Sequence, residues 1–154
     1  NFPKITYSKG CYFSLSSKWR KAFNHLIYPM PDNTRGSLGI HISFNQNMTT
    51  KLGPSVEWME NRIEDYTVNN DLNMTFFEEA QTYINGLELS DLTPDFSGIR
   101  PKISTPEHPY ADFYIQNEKD KGYPGLINLI GIESPGLTAS IAIGEDVARW
   151  IGNR

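Results

Sequence analysis

The stretch Leu38-Gly39-Ile40-His41-Ile42-Ser43-Phe44 constrains the fold most. Its apolar residues Leu38, Ile40, Ile42 and Phe44 alternate with smaller or polar ones, the period-two pattern of a sheet with one buried face. Gly39, His41 and Ser43 then share the opposite face. Three further stretches with strand character, residues 10–15, 25–30 and 49–52, lie between turn-forming residues, and strands at this spacing predict an antiparallel meander. Asn45-Gln46-Asn47 serves as the hairpin loop before the last of them.

Beyond the meander, residues 53–71 mix Pro54, Trp58 and several acids without periodicity and read as an irregular crossing segment. Thr75-x-x-Glu78 has the form of a capping box, Phe76, Phe77, Ala80 and Ile84 share one helical face, and Gly86 supplies a left-handed stop, which predicts a helix over 76–85. Residues 99–103, 112–116 and 126–132 are the remaining strand candidates, and Pro101 marks the first as an edge strand or a strand end. At the C-terminal side, Ser134 is a good N-cap, Pro135 suits the first helical position, and residues 137–151 run without a breaker to Gly152. The class expected is α+β: one domain over 1–154, an antiparallel sheet flanked by helices.

Composition narrows the function classes. With 38% hydrophobic and 21% charged residues the chain reads as an ordinary globular domain. The same charged fraction argues against an integral membrane segment, and a net charge of -4 without a run of Lys or Arg argues against nucleic acid. Cys11 has no partner for an internal disulfide, and His25, His41 and His108 form no cluster at metal-ligand spacing, so no metal is expected. A reducing, cytoplasmic setting follows, with peripheral attachment to a membrane left open. Residues 1–10 contain neither an apolar leader nor an initiator Met, from which we expect a chain cut from a longer one.

Gly131-Ile132-Glu133-Ser134-Pro135-Gly136-Leu137-Thr138 and the residues after it, as far as Gly144, resemble the C-terminal flavin-contacting segment of the L-2-hydroxyglutarate dehydrogenase/oxidase family, within the D-amino-acid-oxidase-like flavoproteins. Ile27-Tyr28-Pro29-Met30-Pro31, Leu38-Gly39-Ile40-His41 and Asp95-Phe96-Ser97-Gly98-Ile99-Arg100-Pro101-Lys102 agree with it in order and spacing, and similarity runs over about residues 9–150. The resemblance implies an antiparallel substrate domain beside a Rossmann-type FAD domain, with a C-terminal strand and helix returning to the cofactor. No Gly-x-Gly-x-x-Gly is present, so the part that grips the FAD pyrophosphate is missing and is itself an implied partner; alone, the chain should bind FAD weakly or not at all.

By that resemblance Arg100 holds the carboxylate of a small substrate, a task its planar two-donor fork and permanent charge suit; read alone, it is a surface Arg beside a proline. His41 is the candidate catalytic base, or else a satisfied structural histidine. Tyr28 lines the substrate cavity, or belongs to the core. Backbone N–H groups of Gly131, Ile132, Glu133, Ser134, Pro135 (which has none of its own), Gly136, Leu137 and Thr138 would surround the flavin edge at a helix N-terminus; otherwise this is an ordinary capped helix. The implied function is FAD-dependent oxidation of a 2-hydroxy acid, L-2-hydroxyglutarate first. An amino-acid or glycerol-3-phosphate oxidoreductase and a cofactor-free interaction domain stay open as alternatives.

Overall fold

A computed structural model describes residues 2–30 and 39–152. Pro31 and Leu38 of the motifs above lie outside the described residues. The chain forms two compact units, Tyr7–Arg100 and, separately, Asn1–Thr6 with Pro101–Arg154.

The first unit is built on β1 (Thr6–Leu15), whose residues Cys11, Phe13 and Leu15 face the core. β2 (His41–Phe44) and β3 (Thr50–Gly53) form the expected antiparallel hairpin, in which Ile42 pairs with Leu52. The Asn45 side chain closes its loop by accepting bonds from the N–H groups of Asn47 and Thr49 at 3.0 and 2.9 Å, the local bonding that makes Asn a turn former. Ile40 and Ile42 are buried while His41 and Ser43 are half-buried, as the alternation requires.

Residues 53–71 are not wholly irregular: β4 (Glu57–Met59) pairs with β1, Ser8 opposite Trp58. Phe13 pairs with Leu52 on β3, and from there to β4 the register slips by one residue. The extra residue falls at 53–55, a bulge that lets β3 and β4 run along β1 in succession. β4 is three residues long and owes its conformation to the neighbouring backbone rather than to a pattern of its own. Residues 25–30 supply only a bridge, Ile27 to Ile42, because Pro29 carries no N–H to continue a ladder. β5 (Leu92–Lys102) starts seven residues before the stretch expected at 99 and pairs with β1. Pro94 and Pro101 are tolerated there because β5 has β1 as its neighbour on one side alone among the described strands.

The helix α1 (Leu72–Ala80) begins a turn earlier than the capping-box reading gives, so Thr75 sits inside it. Asn69 starts it instead: its side-chain oxygen accepts from the Asp71 N–H at 3.0 Å and its carbonyl from Leu72 at 3.2 Å. The helix ends at Ala80, and turns carry the chain to Gly86 at φ +76°. Phe76 and Ala80 are fully buried, and the Phe76 ring meets Phe13 at 4.5 Å, fixing α1 on the core face of the sheet. Burying each such large side chain contributes about 1.5–3 kcal/mol.

In the second unit β6 (Tyr114–Asn117) and β7 (Ile127–Ile130) pair antiparallel. The fully buried Glu118 holds the hairpin together, accepting from Tyr114 Oη at 2.7 Å and Asn128 Nδ2 at 2.9 Å and pairing with Lys121 at 3.0 Å. The long helix α2 (Gly136–Gly152) follows β7. Ala139, Ile143, Val147 and Trp150 on one side of it are half-buried, whereas Leu137, Ile141, Gly144, Ala148 and Ile151 form a second, exposed stripe. Leu137 is 92% exposed and Ile141 77%. Among the described residues no helix is long and apolar enough to cross a membrane, and no group of His, Cys, Asp or Glu could hold a metal ion.

Candidate active site

Tyr28 and His41, separate in sequence, meet in the first unit, and the Arg100 charge is near enough to act on His41. Ile27 and Ile42 exchange backbone hydrogen bonds at 3.3 and 2.9 Å, and this antiparallel pairing sets Tyr28 beside His41. The two rings stack with centroids 4.2 Å apart and planes 20° from parallel. Pro29 anchors the segment by lying over Gly39, where a Cβ would be 2.8 Å from Pro29 Cγ and where φ is +75°, so Gly39 is the residue type this corner needs. Tyr83 Oη donates to the Ile40 carbonyl at 2.6 Å and fixes the entry into β2.

The environment of His41 favours the neutral ring. Burial pushes its pKa below the usual histidine value; a hydrogen bond to the Gly39 carbonyl opposes this, and the nearby Arg100 charge adds to the depression. Nδ1 lies 3.2 Å from the Gly39 oxygen. A carbonyl oxygen only accepts, so Nδ1 carries the hydrogen and Nε2 keeps a lone pair able to take a proton.

Arg100 comes from β5, which pairs with β1, and its Nη2 is only 3.3 Å from where a Cβ would stand on Gly10. The same Cβ would also meet Pro54 at 3.0 Å and the Ser55 carbonyl at 3.2 Å, so the guanidinium occupies space that Gly10 leaves free. Tyr12 uses Gly53 in the same way: its ring would be 2.8 Å from a Cβ there. The Tyr12 ring also stacks on Phe96 at 4.4 Å. The sequence reading missed Gly10, Gly53 and the Tyr12–Phe96 pair; an isolated glycine inside a strand was the available signal for the first. His25 and His108 are exposed and belong to no such group.

The 131–138 turn lies in the second unit and is tightly folded. Glu133 N–H donates to the Gly131 carbonyl at 3.0 Å and Gly136 N–H to the Glu133 carbonyl at 2.5 Å. α2 starts at Gly136, one residue after the position assigned to Pro135, a boundary shift of ordinary size. Ala139 N–H donates to the Pro135 carbonyl, so Leu137 and Thr138 contribute the open N–H groups at the positive end of the helix dipole. Gly136 is buried against the Ile132 side chain and leaves no room for a side chain of its own. The Glu133 side chain is engaged in an ion pair with Lys102, Nζ to Oε2 2.6 Å. Open backbone donors at a helix start, with the nearby carboxylate paired to Lys102, have the chemistry to face the edge of an anionic ring.

The first unit is thus an antiparallel sheet carrying an imidazole and a guanidinium, and the second a strand–turn–helix with open N–H groups at its helix start. The chain belongs to the DAO family, FAD dependent oxidoreductase, whose family model matches residues 1–150. It is 45% identical over 155 residues, 95% of its own length, to the mitochondrial L-2-hydroxyglutarate dehydrogenase of Arabidopsis thaliana, and 23% identical over 171 residues to L-2-hydroxyglutarate dehydrogenase of Escherichia coli. It spans 32% and 40% of those two proteins, and 90% of this chain is covered in the second comparison. The fold is that of dithionite-reduced L-alpha-glycerophosphate oxidase from Mycoplasma pneumoniae with FAD bound: TM-score 0.70 at 22% identity, over 95% of this chain and 36% of that one.

Proposed function

We propose that residues 1–154 are the C-terminal, substrate-covering part of an FAD-dependent dehydrogenase that oxidises L-2-hydroxyglutarate to 2-oxoglutarate. The observation that carries the reading is the 45% identity to the plant dehydrogenase over 95% of the chain. The geometry of His41, Tyr28 and Arg100 supports it.

In this reading the Arg100 guanidinium binds a substrate carboxylate through paired charge-assisted hydrogen bonds. His41 Nε2 accepts the proton of the substrate hydroxyl as that carbon becomes a carbonyl, and Tyr28 holds the imidazole plane by stacking. Bound FAD supplies the two-electron acceptor for the hydride of the same carbon. Leu137 and Thr138 would hold the cofactor edge through their N–H groups, with the helix dipole favouring the charge it gains on reduction. The exposed apolar stripe of α2 is the surface expected where the FAD-binding part of the same protein packs, because a helix apolar on two sides is normally covered on both.

The full-length protein, purified with its flavin, tests the proposal. Anaerobic L-2-hydroxyglutarate should bleach the flavin absorbance with one equivalent of 2-oxoglutarate formed. Bleaching by glycerol 3-phosphate or an amino acid, with none by L-2-hydroxyglutarate, would reject the substrate assignment.

A further inference from the structure

We infer that Lys102 is a positioning residue for the cofactor-facing turn, acting through Glu133; the inference rests on the flavin reading above. Lys102 is 7% exposed, and its ammonium meets Glu133 Oε2 at 2.6 Å inside the second unit. Two other contacts hold the same segment, one of them to the same turn. The Ile103 side chain fills the space over Gly131, where a Cβ would be 2.7 Å from its Cδ1, and Thr6 Oγ1 donates to the carbonyl of Ser104 at 2.5 Å, tying the segment to the start of β1.

The charge arithmetic gives the ion pair its purpose. Glu133 is the one ionisable side chain in Gly131-Ile132-Glu133-Ser134-Pro135-Gly136-Leu137-Thr138. It lies three residues before the first residue of α2, close to the N–H groups that would face negative charge on a reduced ring. An uncompensated carboxylate there opposes reduction, since like charges close together raise the energy of the doubly charged state. Lys102 cancels that charge and draws the side chain aside, leaving the helix N-terminus as the local positive pole. The Glu133 backbone also bonds within the turn, to the Gly131 carbonyl and from the Gly136 N–H, so the pair fixes the direction in which the turn presents Leu137 and Thr138.

Three variants of the full-length holoenzyme test this: Lys102→Met, Glu133→Gln and the double variant. The readouts are the flavin midpoint potential from dye-equilibrated reduction and hydrogen exchange of residues 131–138 in the apoprotein. Lys102→Met should disfavour reduction on the order of tenfold, the effect of one uncompensated nearby charge, which for two electrons is about 30 mV. It should also speed exchange across the turn. Removing the Glu133 charge as well should return the potential toward wild type, and Lys102→Arg should keep it. A Lys102→Met enzyme with an unchanged potential and unchanged exchange, or a double variant no better than Lys102→Met, would overturn the assignment. If the wild-type protein carries no flavin, it is the functional reading that fails, and the exchange measurement still decides whether Lys102 orders the turn.

Discussion

Replacing His41 with Gln probes the proposed proton transfer most directly. Glutamine keeps much of the volume and can still donate to the Gly39 carbonyl, so the hairpin around Ile42 stays in place, although the ring stack with Tyr28 is lost. What disappears with it is the Nε2 lone pair. A positioned general base contributes about 10²–10⁴ in rate, so flavin reduction should slow by about that factor, on the order of 3–5 kcal/mol in barrier. Lost stacking with Tyr28 accounts for only about 0.5–1.5 kcal/mol, so a larger fall belongs to the chemistry.

The pH profile gives an independent check. The His41 pKa is lowered by burial, against the pull of the Gly39 carbonyl and with the help of the Arg100 charge. A lowered pKa means that the folded protein binds this proton less readily than free histidine does, so the basic form persists to lower pH. The acid limb of the reductive half-reaction should therefore fall below about pH 6.5, the ordinary histidine value, and should vanish in His41→Gln. Anaerobic stopped-flow mixing of the full-length enzyme with L-2-hydroxyglutarate across pH 5–9 measures both effects. A His41→Gln enzyme reduced within about threefold of the wild-type rate, well short of a general-base effect, or an acid limb above the histidine value, would refute the role.

Three further outcomes are expected. Tyr28→Phe keeps the stacked ring and should leave kcat near wild type, whereas Tyr28→Ala should lower it by about threefold to tenfold, the rate equivalent of one lost ring contact; steady-state kinetics on the pair separates ring from hydroxyl. Gly10→Ala places a methyl 3.3 Å from Arg100 Nη2 and 3.0 Å from Pro54 Cβ, and the displaced guanidinium should raise KM for the 2-hydroxy acid by about tenfold or more, with far-UV circular dichroism unchanged. Asp91 is 4% exposed and accepts from Ser16 Oγ at 2.7 Å, from the Glu88 N–H at 3.0 Å and from Lys18 at 2.7 Å. Burial alone would raise its pKa, yet these bonds together hold it well below the usual carboxylate range. That stability is present above the unfolded value of about 3.9 and drains away as pH falls below it. Asp91→Asn should cost about 2–3 kcal/mol at neutral pH and flatten the acid dependence, as denaturant titrations at neutral pH and at about pH 3, below the unfolded carboxylate value, would read.

Legibility in the sequence followed the range of the forces involved. The β2–β3 hairpin could be read because alternation along Leu38 to Phe44 and the Asn45 turn are local properties. β4 could not, since three residues acquire strand geometry only by lying beside β1 after the bulge. The start of α1 was misplaced because two local signals compete: Asn69 and Thr75 can both begin a helix, and the packing of Leu72 against the core, a tertiary contact, favours the earlier one. Arg100 and His41 stood out through motif resemblance, but their nearness to one another depends on β1 and β3 lying between β5 and β2. The Lys102–Glu133 pair, 31 residues apart, leaves no trace in either local pattern.

One device recurs in the first unit and explains why side chains of the proposed site are held firmly without a dense polar network. Arg100 lies over Gly10, Pro29 over Gly39 and Tyr12 over Gly53, so each time a bulky group is seated on bare backbone. Backbone within a paired sheet moves less than any side chain, and a glycine seat replaces an adaptable contact with a rigid one. Entropy lost by each glycine in a strand, about 0.5–1 kcal/mol relative to alanine, is the cost of this arrangement. The consequence is an inverted tolerance: adding a single methyl at Gly10 or Gly53 should disturb the guanidinium or the Tyr12–Phe96 stack more than removing a polar group such as the hydroxyl of Ser97, which donates to the Tyr66 carbonyl.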